Sequence, residues 1–540
     1  MKRIILLVLA VFIVLTAFAG CSKKSSTDAK ETTTPEITTT PSDVVPEFDM
    51  DTWVSDGHVK VIGEQKIPEN FVTDTKIYMA KNEKEAFNVS FRSDKSVEGL
   101  KLVLVEGNTA ELQIEIFDEY LINTGRNKHY PDPLIPYTES FNVEENVTKT
   151  LLVRFVSNSD TKAGEHKFKF AAVLGSKTIA EYAVSVNVWD FALPEALTCE
   201  SAVGLSQDMI FEFEQTSGST AGKMLRAYYE MLLEYGLTAN ILPYQITNDK
   251  ADEYLNDPRV TSIRIDIGLS DANMIKTYNK LKSNPEWLEK AYFYPYDEPN
   301  DMEALIELAE RCKRLQELAP EIDIVIPFFK NIKVDETTDE IDYLDDYLGI
   351  WCPKAPAWTE KGWIGDPLNK GYFGDRMAEQ KEQGDKIWWY VCWEPGAPYC
   401  NLYVNELGLN HVELFWQQYY YGVEGFLYWH TNYWKYVNPW ENMATVPHLS
   451  EKVYGDGSLL YPGKPMGIEG PVASFRMECI RSGMEDYDLL LKAEELLGRE
   501  WVVEQVQKVS ESVTKHTKDS AVYAAARKAI GDAIEAELKK

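Results

Sequence analysis

The chain has 540 residues, 44% of them hydrophobic, which is enough for two or three domains with a sizeable core. Its 55 Lys and Arg stand against 86 Asp and Glu, a net charge of −31. That balance excludes nucleic acid as a partner, because phosphate binding depends on clustered cations, and it suits an exposed surface kept apart by repulsion.

At the N-terminus, Lys2 and Arg3 precede the apolar run "IILLVLAVFIVLTAFAG", and Cys21 follows at once. A charged start, an apolar run and small residues before the cut describe an export signal over residues 1–20. The tail "AFAGC" resembles a bacterial lipobox, with Phe18 where Leu is more usual. The resemblance implies that Cys21 becomes the lipidated first residue of the mature protein. The alternative is a lone transmembrane anchor, but the run is short for a span and ends in Gly-Cys. Residues 21–46, including "SKKSSTDAKETTTPEITTTPSD", read as a disordered Ser/Thr/Pro-rich tether. The protein is therefore expected in the bacterial cell envelope, held to a membrane by its lipid and facing outward.

From residue 47 to 195, "KIYMAKNEKEAFNVSFRS", "LKLVLVEG", "LQIEIFDEYLI", "KTLLVRFVS", "KFKFAAVLG" and "AEYAVSVNVWDF" are short runs separated by turn residues. Several short strands without intervening helices predict a β-sandwich domain. From 196 to 470 the rhythm becomes strand, helix, strand. "CESAVGLSQ", "NILPYQ", "VTSIRIDIG", "EKAYFYPYDEP", "IDIVIPFF", "LGIWCPKAP", "KIWWYVCWEPG" and "GFLYWHTNYW" are eight strand candidates. Such alternation implies parallel strands with crossover helices, and the count predicts an α/β fold of the (β/α)8 TIM-barrel type. A doubly wound sheet is the alternative, but no Gly-rich phosphate loop follows any strand. Residues 471–540 carry "SFRMECIRSGMEDYDLLLKAEELL" and "AVYAAARKAIGDAIEAELKK", which predict C-terminal helices.

Beyond Cys21, the cysteines at 199, 312, 352, 392, 400 and 479 are scattered and not at metal-ligand spacing, so no metal and no cofactor is expected. A disulfide between Cys392 and Cys400 and reduced burial both stay open.

The chemistry is expected where barrel strands end at their C-termini. "AYFYPYDEP" closes on Asp297 and Glu298, and Asp301 is better placed than either to cap the following helix. "KIWWYVCWEPG" closes on Trp393 and Glu394. Two carboxylates at one mouth suit glycoside hydrolysis. Ten of the 14 tryptophans fall between Trp351 and Trp440, and Trp351, Trp358, Trp363, Trp393, Trp429, Trp434 and Trp440 are candidate sugar platforms or core.

The acids of "YDEP", the segment "FWQQYYYGVEGFLYWHTNYW", and "GDGSLLYPG" followed by "GPVASFRMECIRSGMEDYDLLL" resemble glycoside hydrolase family 123 and the wider DUF4091 domain family. The likeness covers most of residues 200–500. The family pattern often carries an Arg in the helix before "GFLYW", where this chain has Val412. The resemblance implies an exo-β-N-acetylgalactosaminidase acting on the terminal amino sugar of a glycolipid or oligosaccharide, with no protein nucleophile. The substrate's 2-acetamido oxygen would attack the anomeric carbon, giving an oxazoline. Asp297 would orient and stabilise the acetamide. Glu298 would be the general acid and then the base. Substrate contacts are expected from Tyr244, Gln245, Tyr296, Trp351, Tyr390, Trp393, Glu394, Trp429, His430, Asn432 and Trp434. Two other readings stand beside this one. The first is a double displacement with Glu298 as acid/base and Glu394 as nucleophile, and the second is a non-catalytic glycan-binding lipoprotein.

Overall fold

A computed structural model describes residues 48–124, 128–359, 364–368, 370–444 and 453–540. The signal segment, Cys21, the tether and Trp363 lie outside the described residues. Residues Phe48–Lys540 form one compact unit.

Ten strands come first: β1 (Met50–Asp56), β2 (Asp74–Lys81), β3 (Lys84–Ser93), β4 (Val97–Glu106), β5 (Gln113–Asn123), β6 (His129–Pro136), β7 (Phe141–Val143), β8 (Lys149–Val156), β9 (Gly164–Leu174) and β10 (Lys177–Ala192). They make two five-stranded sheets, ordered β1-β3-β8-β5-β6 and β2-β10-β9-β4-β7. Alternate residues of a strand share a face. Phe87, Val89 and Phe91 of β3 and Leu151, Val153 and Phe155 of β8 accordingly meet Phe168, Phe170, Val184 and Val186 of the other sheet in one core. The run "KIYMAKNEKEAFNVSFRS" divides into β2 and β3 because Asn82 adopts φ 63, a turn conformation that Asn tolerates.

The next strands are β11 (Glu200–Val203), β12 (Ile263–Ile265), β13 (Ala291–Phe293), β14 (Asp323–Phe328), β15 (Ile350–Pro353), β16 (Lys386–Val391) and β17 (Gly425–Tyr428). They form a seven-stranded sheet, β11-β17-β16-β15-β14-β13-β12, with every pair parallel. An eighth strand was expected at "NILPYQ", and there the structure differs. Residue 239 makes only a single bridge with Val203, through Val203 N–H to Thr238 O (2.9 Å) and Asn240 N–H to Val203 O (2.7 Å). Toward β12, hydroxyls replace the backbone ladder. Thr238 and Thr261 Oγ1 are 3.1 Å apart, Thr261 N–H donates to Thr238 Oγ1, and Ser262 Oγ donates to Ser201 O at 2.7 Å. Ser and Thr side chains compete with backbone partners in this way, and Pro243 has no N–H with which to resume a ladder.

The parallel sheet curls strongly. Strands lie about 4.8 Å apart, so β13 and β16, three spacings apart, would be about 14 Å apart if the sheet were flat. Yet the rings of Tyr292 and Trp388 meet edge-on at 5.5 Å. One face holds a cluster of Ala202, Tyr292, Val325, Ile350, Cys352, Trp388, Tyr390, Cys392 and Leu427. The other face packs against helices.

Three helices follow: Phe475–Leu497, Arg499–Val509 and Ser520–Leu538. The first is buried along most of its length despite its charges, which are paired with both flanking regions. Arg476 binds Asp132 of β6 through Nε (2.9 Å) and Nη2 (2.7 Å), Glu478 meets Arg154 of β8 at 2.7 Å, and Asp486 meets Arg527 at 2.7 Å. No helix of the described residues is long and apolar enough to cross a membrane. Cys392 and Cys400 are both buried and free rather than bonded to each other.

Candidate active site

The site is built where β13 ends. Tyr292 and Tyr294 belong to the inner cluster, while Phe293 packs outward. After Pro295 the chain carries Asp297, exposed, and Glu298, half-buried. Glu298 adopts φ 47, a left-handed conformation that costs a non-glycine residue about 1–2 kcal/mol and that is found where function requires it. In an unbroken strand, consecutive side chains point to opposite faces. Here both carboxyls instead reach phenols rooted in the same inner cluster. Tyr294 OH donates to Asp297 Oδ1 at 2.8 Å, and Tyr390 OH, from β16, donates to Glu298 Oε1. The curl of the sheet makes the second contact possible. Burial and the adjacent carboxylate hold both phenols far above their ordinary pKa, so they remain donors at any working pH. Helix capping is left to Asp301, whose Oδ1 accepts Ala304 N–H at 2.9 Å. The acid pair is therefore free of that duty.

Around the pair stand groups from three more strand ends. Lys354, just past β15 and buried, lies with Nζ 5.8 Å from the Tyr390 ring centroid and 3.8 Å from Glu394 Oε2. Past β17, the Trp429 indole N–H donates to Asp456 Oδ2 at 3.0 Å, and Tyr428 OH donates to Oδ1 at 3.1 Å. Burial raises Asp456 to about 7, against those donors and the nearby Arg476 and Lys354. Gly457 (φ 70) lies directly against the indole, since a Cβ there would sit 2.2 Å from Trp429 Cζ2. Burial pushes the Cys392 thiol up to about 12, with Lys354 opposing and Asp456 and Glu298 adding to the rise. These charged groups thus converge on one spot of the inner face. Arg264 of β12 lies over the Tyr294 ring, 4.8 Å from its centroid.

Residues 144–492 match the catalytic-domain model of glycoside hydrolase 123. The chain belongs to glycoside hydrolase family 123. The family 123 match begins just before β8 and ends within the helix Phe475–Leu497. Among solved structures, a family 123 glycoside hydrolase from Clostridium perfringens, studied for the details of glycolipid glycan hydrolysis, shares the fold. It has a TM-score of 0.65 and 12% identity over 91% of this chain and 98% of its own. A family 39 glycoside hydrolase from Bacteroides cellulosilyticus gives a TM-score of 0.32 and 11% identity over 76% and 81% of the two chains. No curated protein matches the chain in sequence.

Within this family 123 fold, the residues expected at the site divide into two groups. Asp297, Glu298, Tyr390, Trp393, Glu394, Trp429 and His430 all lie at or just past strand ends β13, β16 and β17. Trp393 is 45% exposed, an apolar surface offered to solvent. The Trp429, His430, Tyr433 and Tyr436 rings form a chain of contacts 4.9 to 6.0 Å apart. Burial lowers His430 to about 4, so it is neutral, and its Nδ1 accepts Asn432 N–H at 3.2 Å.

The second group lies elsewhere. Trp351 is 1% exposed on the helix-facing side of β15, its Nε1 donating to Asp385 at 2.8 Å. Trp434 is equally buried, bound to Ser458 Oγ at 3.0 Å. Asn432 is a latch, exchanging two 2.9 Å hydrogen bonds with the Ser206 backbone. Tyr296 packs outward beneath Arg311, whose Nη1 donates to Pro295 O at 2.7 Å. The Tyr244 ring lies tilted against Tyr254, 6.3 Å between centroids, and Gln245 is exposed. Among the described residues neither hydrogen-bonds the acid pair. Sequence reasoning missed Lys354, Arg264 and Asp456. Asp456 carried a signal, since it lies in the "GDGSLLYPG" motif, but nothing local tied that motif to Trp429.

Proposed function

We propose that the protein is an exo-β-N-acetylgalactosaminidase that cleaves a terminal amino sugar from glycolipids or related glycans by substrate-assisted, retaining catalysis. The observation that carries this reading is the adjacent pair Asp297–Glu298, with each carboxyl held by a neutral phenol from a different strand. The glycolipid activity of the Clostridium perfringens relative supports the substrate class. In the first step the acetamide carbonyl oxygen of the bound sugar forms a bond to the anomeric carbon. The glycosidic C–O bond breaks, and the Glu298 carboxylic acid gives its proton to the departing oxygen. Asp297 accepts the acetamide N–H and balances the positive charge of the oxazolinium. In the second step Glu298 takes a proton from water as that water attacks the anomeric carbon and opens the ring. Both acids serve one sugar because the strand breaks at Glu298. Trp393, Trp429 and the neutral His430 supply apolar and hydrogen-bonding surface, and Glu394 with Lys354 binds hydroxyls.

We infer too that the seven-stranded sheet closes as a (β/α)8 barrel whose second strand is reduced to residues 238–240. The two N-terminal sheets then form a β-sandwich, and Cys21 carries the lipid that holds the enzyme outside the cell.

Chromogenic β-GalNAc and β-GlcNAc glycosides, with their non-acetamido counterparts, test the mechanism. Wild type should turn over an acetamido sugar alone, and Glu298→Gln and Asp297→Asn should each lose about 10²–10⁴-fold in kcat. Glu394→Gln should act mainly on KM. Equal turnover of β-galactoside would sink the acetamide mechanism, and a Glu394→Gln loss as deep as that of Glu298→Gln would make Glu394 the nucleophile. Binding of glycans without turnover would mark a binding protein. Mass spectrometry of the mature N-terminus tests the anchor. An unmodified Cys21, or a Cys21→Ala chain still membrane-bound, would overturn it.

A further inference from the structure

A buried side-chain cluster stands apart from the proposed active site. Cys400 lies in the segment after β16, Glu413 on the helix Gly408–Tyr420, and His516 in the hairpin Ser510–His516. The Cys400 sulfur, a Glu413 carboxylate oxygen and a His516 ring nitrogen lie within 4.8 Å of one another. We propose that these three side chains form a structural zinc site.

Four observations point to a soft divalent cation. First, His516 has its Nε2 committed to Pro398 O at 3.0 Å while Nδ1 faces Glu413 Oε2 at 2.5 Å. A backbone carbonyl on one ring nitrogen, with the other turned to anionic groups, is how metal-binding histidines are oriented. Second, Glu413 is fully buried, and its Oε1 has no hydrogen-bond partner among the described residues. Such an orphan is costly in a protein interior, and a carboxylate bound through both oxygens to a metal is not orphaned. Third, the Cys400 sulfur is buried beside these groups and accepts from Gln417 Nε2 at 3.5 Å. Fourth, thiolate, imidazole and carboxylate together select zinc over the hard cations.

In the loaded site Cys400 binds as thiolate, Glu413 as carboxylate and His516 through a neutral Nδ1, so two anionic ligands match the charge of Zn²⁺. Metal–ligand lengths of about 2.0–2.3 Å place tetrahedral ligand atoms about 3.3–3.7 Å apart. Sγ is 3.9 Å from Nδ1 and 3.8 Å from Nε2, so loading brings the sulfur round to the Nδ1 side and parts Glu413 from His516. The ion would fasten three elements distant in sequence. One is the segment that carries Glu394, because Asn401, next to Cys400, donates to Cys392 O (2.7 Å) and Pro395 O (2.8 Å).

The test uses the untagged, full mature chain, stripped with chelator and titrated with Zn²⁺ or Co²⁺ alone. Wild type should retain about one zinc per chain after dialysis, melt at a higher temperature with zinc present, and show a thiolate-to-cobalt charge-transfer band with Co²⁺. Cys400→Ser should lose the band and bind zinc at least about tenfold more weakly, the scale of a lost metal contact. Cys312→Ser, altered at a buried cysteine elsewhere, should keep both. If Cys400→Ser does not fold, the wild-type titration and His516→Gln decide. Wild type that retains no zinc and shows no thiolate band overturns the proposal. So does a band that survives in Cys400→Ser or His516→Gln.

Discussion

Two sets of acids, one buried on a helix and one at a strand end, can be compared within this one chain. On the helix Phe475–Leu497, Glu478 sits between Arg154 and Arg481 at 2.7 and 2.6 Å, and Asp486 accepts from Trp416, Tyr523 and Arg527. At the end of β13, Asp297 and Glu298 are each met by a single tyrosine hydroxyl. In the first set each acid is paired with at least one guanidinium, and against the effect of burial Arg481 and Arg154 hold Glu478 at about 2. The second is fixed in place by neutral donors that leave carboxylate oxygens for a substrate. Residue type is the same, and the partner decides whether an acid is tied into the fold or left open to a ligand.

The comparison breaks most visibly at Arg476, which holds Asp132 with two hydrogen bonds and also donates to the carbonyls of Leu402, Gly455 and Ser458. Arg476→Met leaves Asp132 buried without its cation, with the Tyr461 hydroxyl still donating to it. Urea unfolding should show a loss of about 3–5 kcal/mol, the usual cost of halving a buried ion pair. Next comes Tyr390→Phe, which removes the donor on Glu298. It should lower kcat about 10–100-fold, the worth of a hydrogen bond to a charged group, with little change in melting temperature. An equal loss of stability would mean that the phenol is structural.

A smaller effect follows from pH. Burial alone would raise Glu478, but Arg481 and Arg154 outweigh it and hold the group at about 2, against an ordinary 4.5. A depressed folded pKa gives stability that is complete above pH 4.5 and is lost as pH falls toward 2. Glu478→Gln should flatten that part of the stability curve. Smallest is Glu119, buried, with neither carboxyl oxygen hydrogen-bonded among the described residues. Burial first and Asp118 second raise it to about 8. It is protonated in the fold and ionised when unfolded, so it costs stability as pH rises from 4.5 to 8. Glu119→Gln should gain about 1 kcal/mol at pH 8, measured by thermal unfolding at several pH values.

Much of this was legible in the sequence, for reasons that also mark the gaps. Seven of eight parallel strand candidates formed because long apolar runs with β-branched and aromatic residues leave little choice. "NILPYQ" failed because threonine and serine hydroxyls took the backbone's partners, a competition that no periodicity records. The acid pair stood out because charges at a strand end are rare. The tryptophans did not sort, because strands of a parallel sheet are apolar on both faces and their phase is hidden. Trp388 points to the inner cluster and Trp389 to the helices, and nothing in "KIWWYV" says which. Lys354 and Asp456 were invisible for another reason. They meet near Cys392 only after the sheet has curled.

The single bridge at residue 239 bears on how this enzyme can vary. Residues 241–248 run off that bridge at the same edge of the parallel sheet as the acid pair, and they belong to no ladder. A change of length there leaves the register of β13 and β16 unmoved, so Asp297, Glu298 and their tyrosines keep their positions.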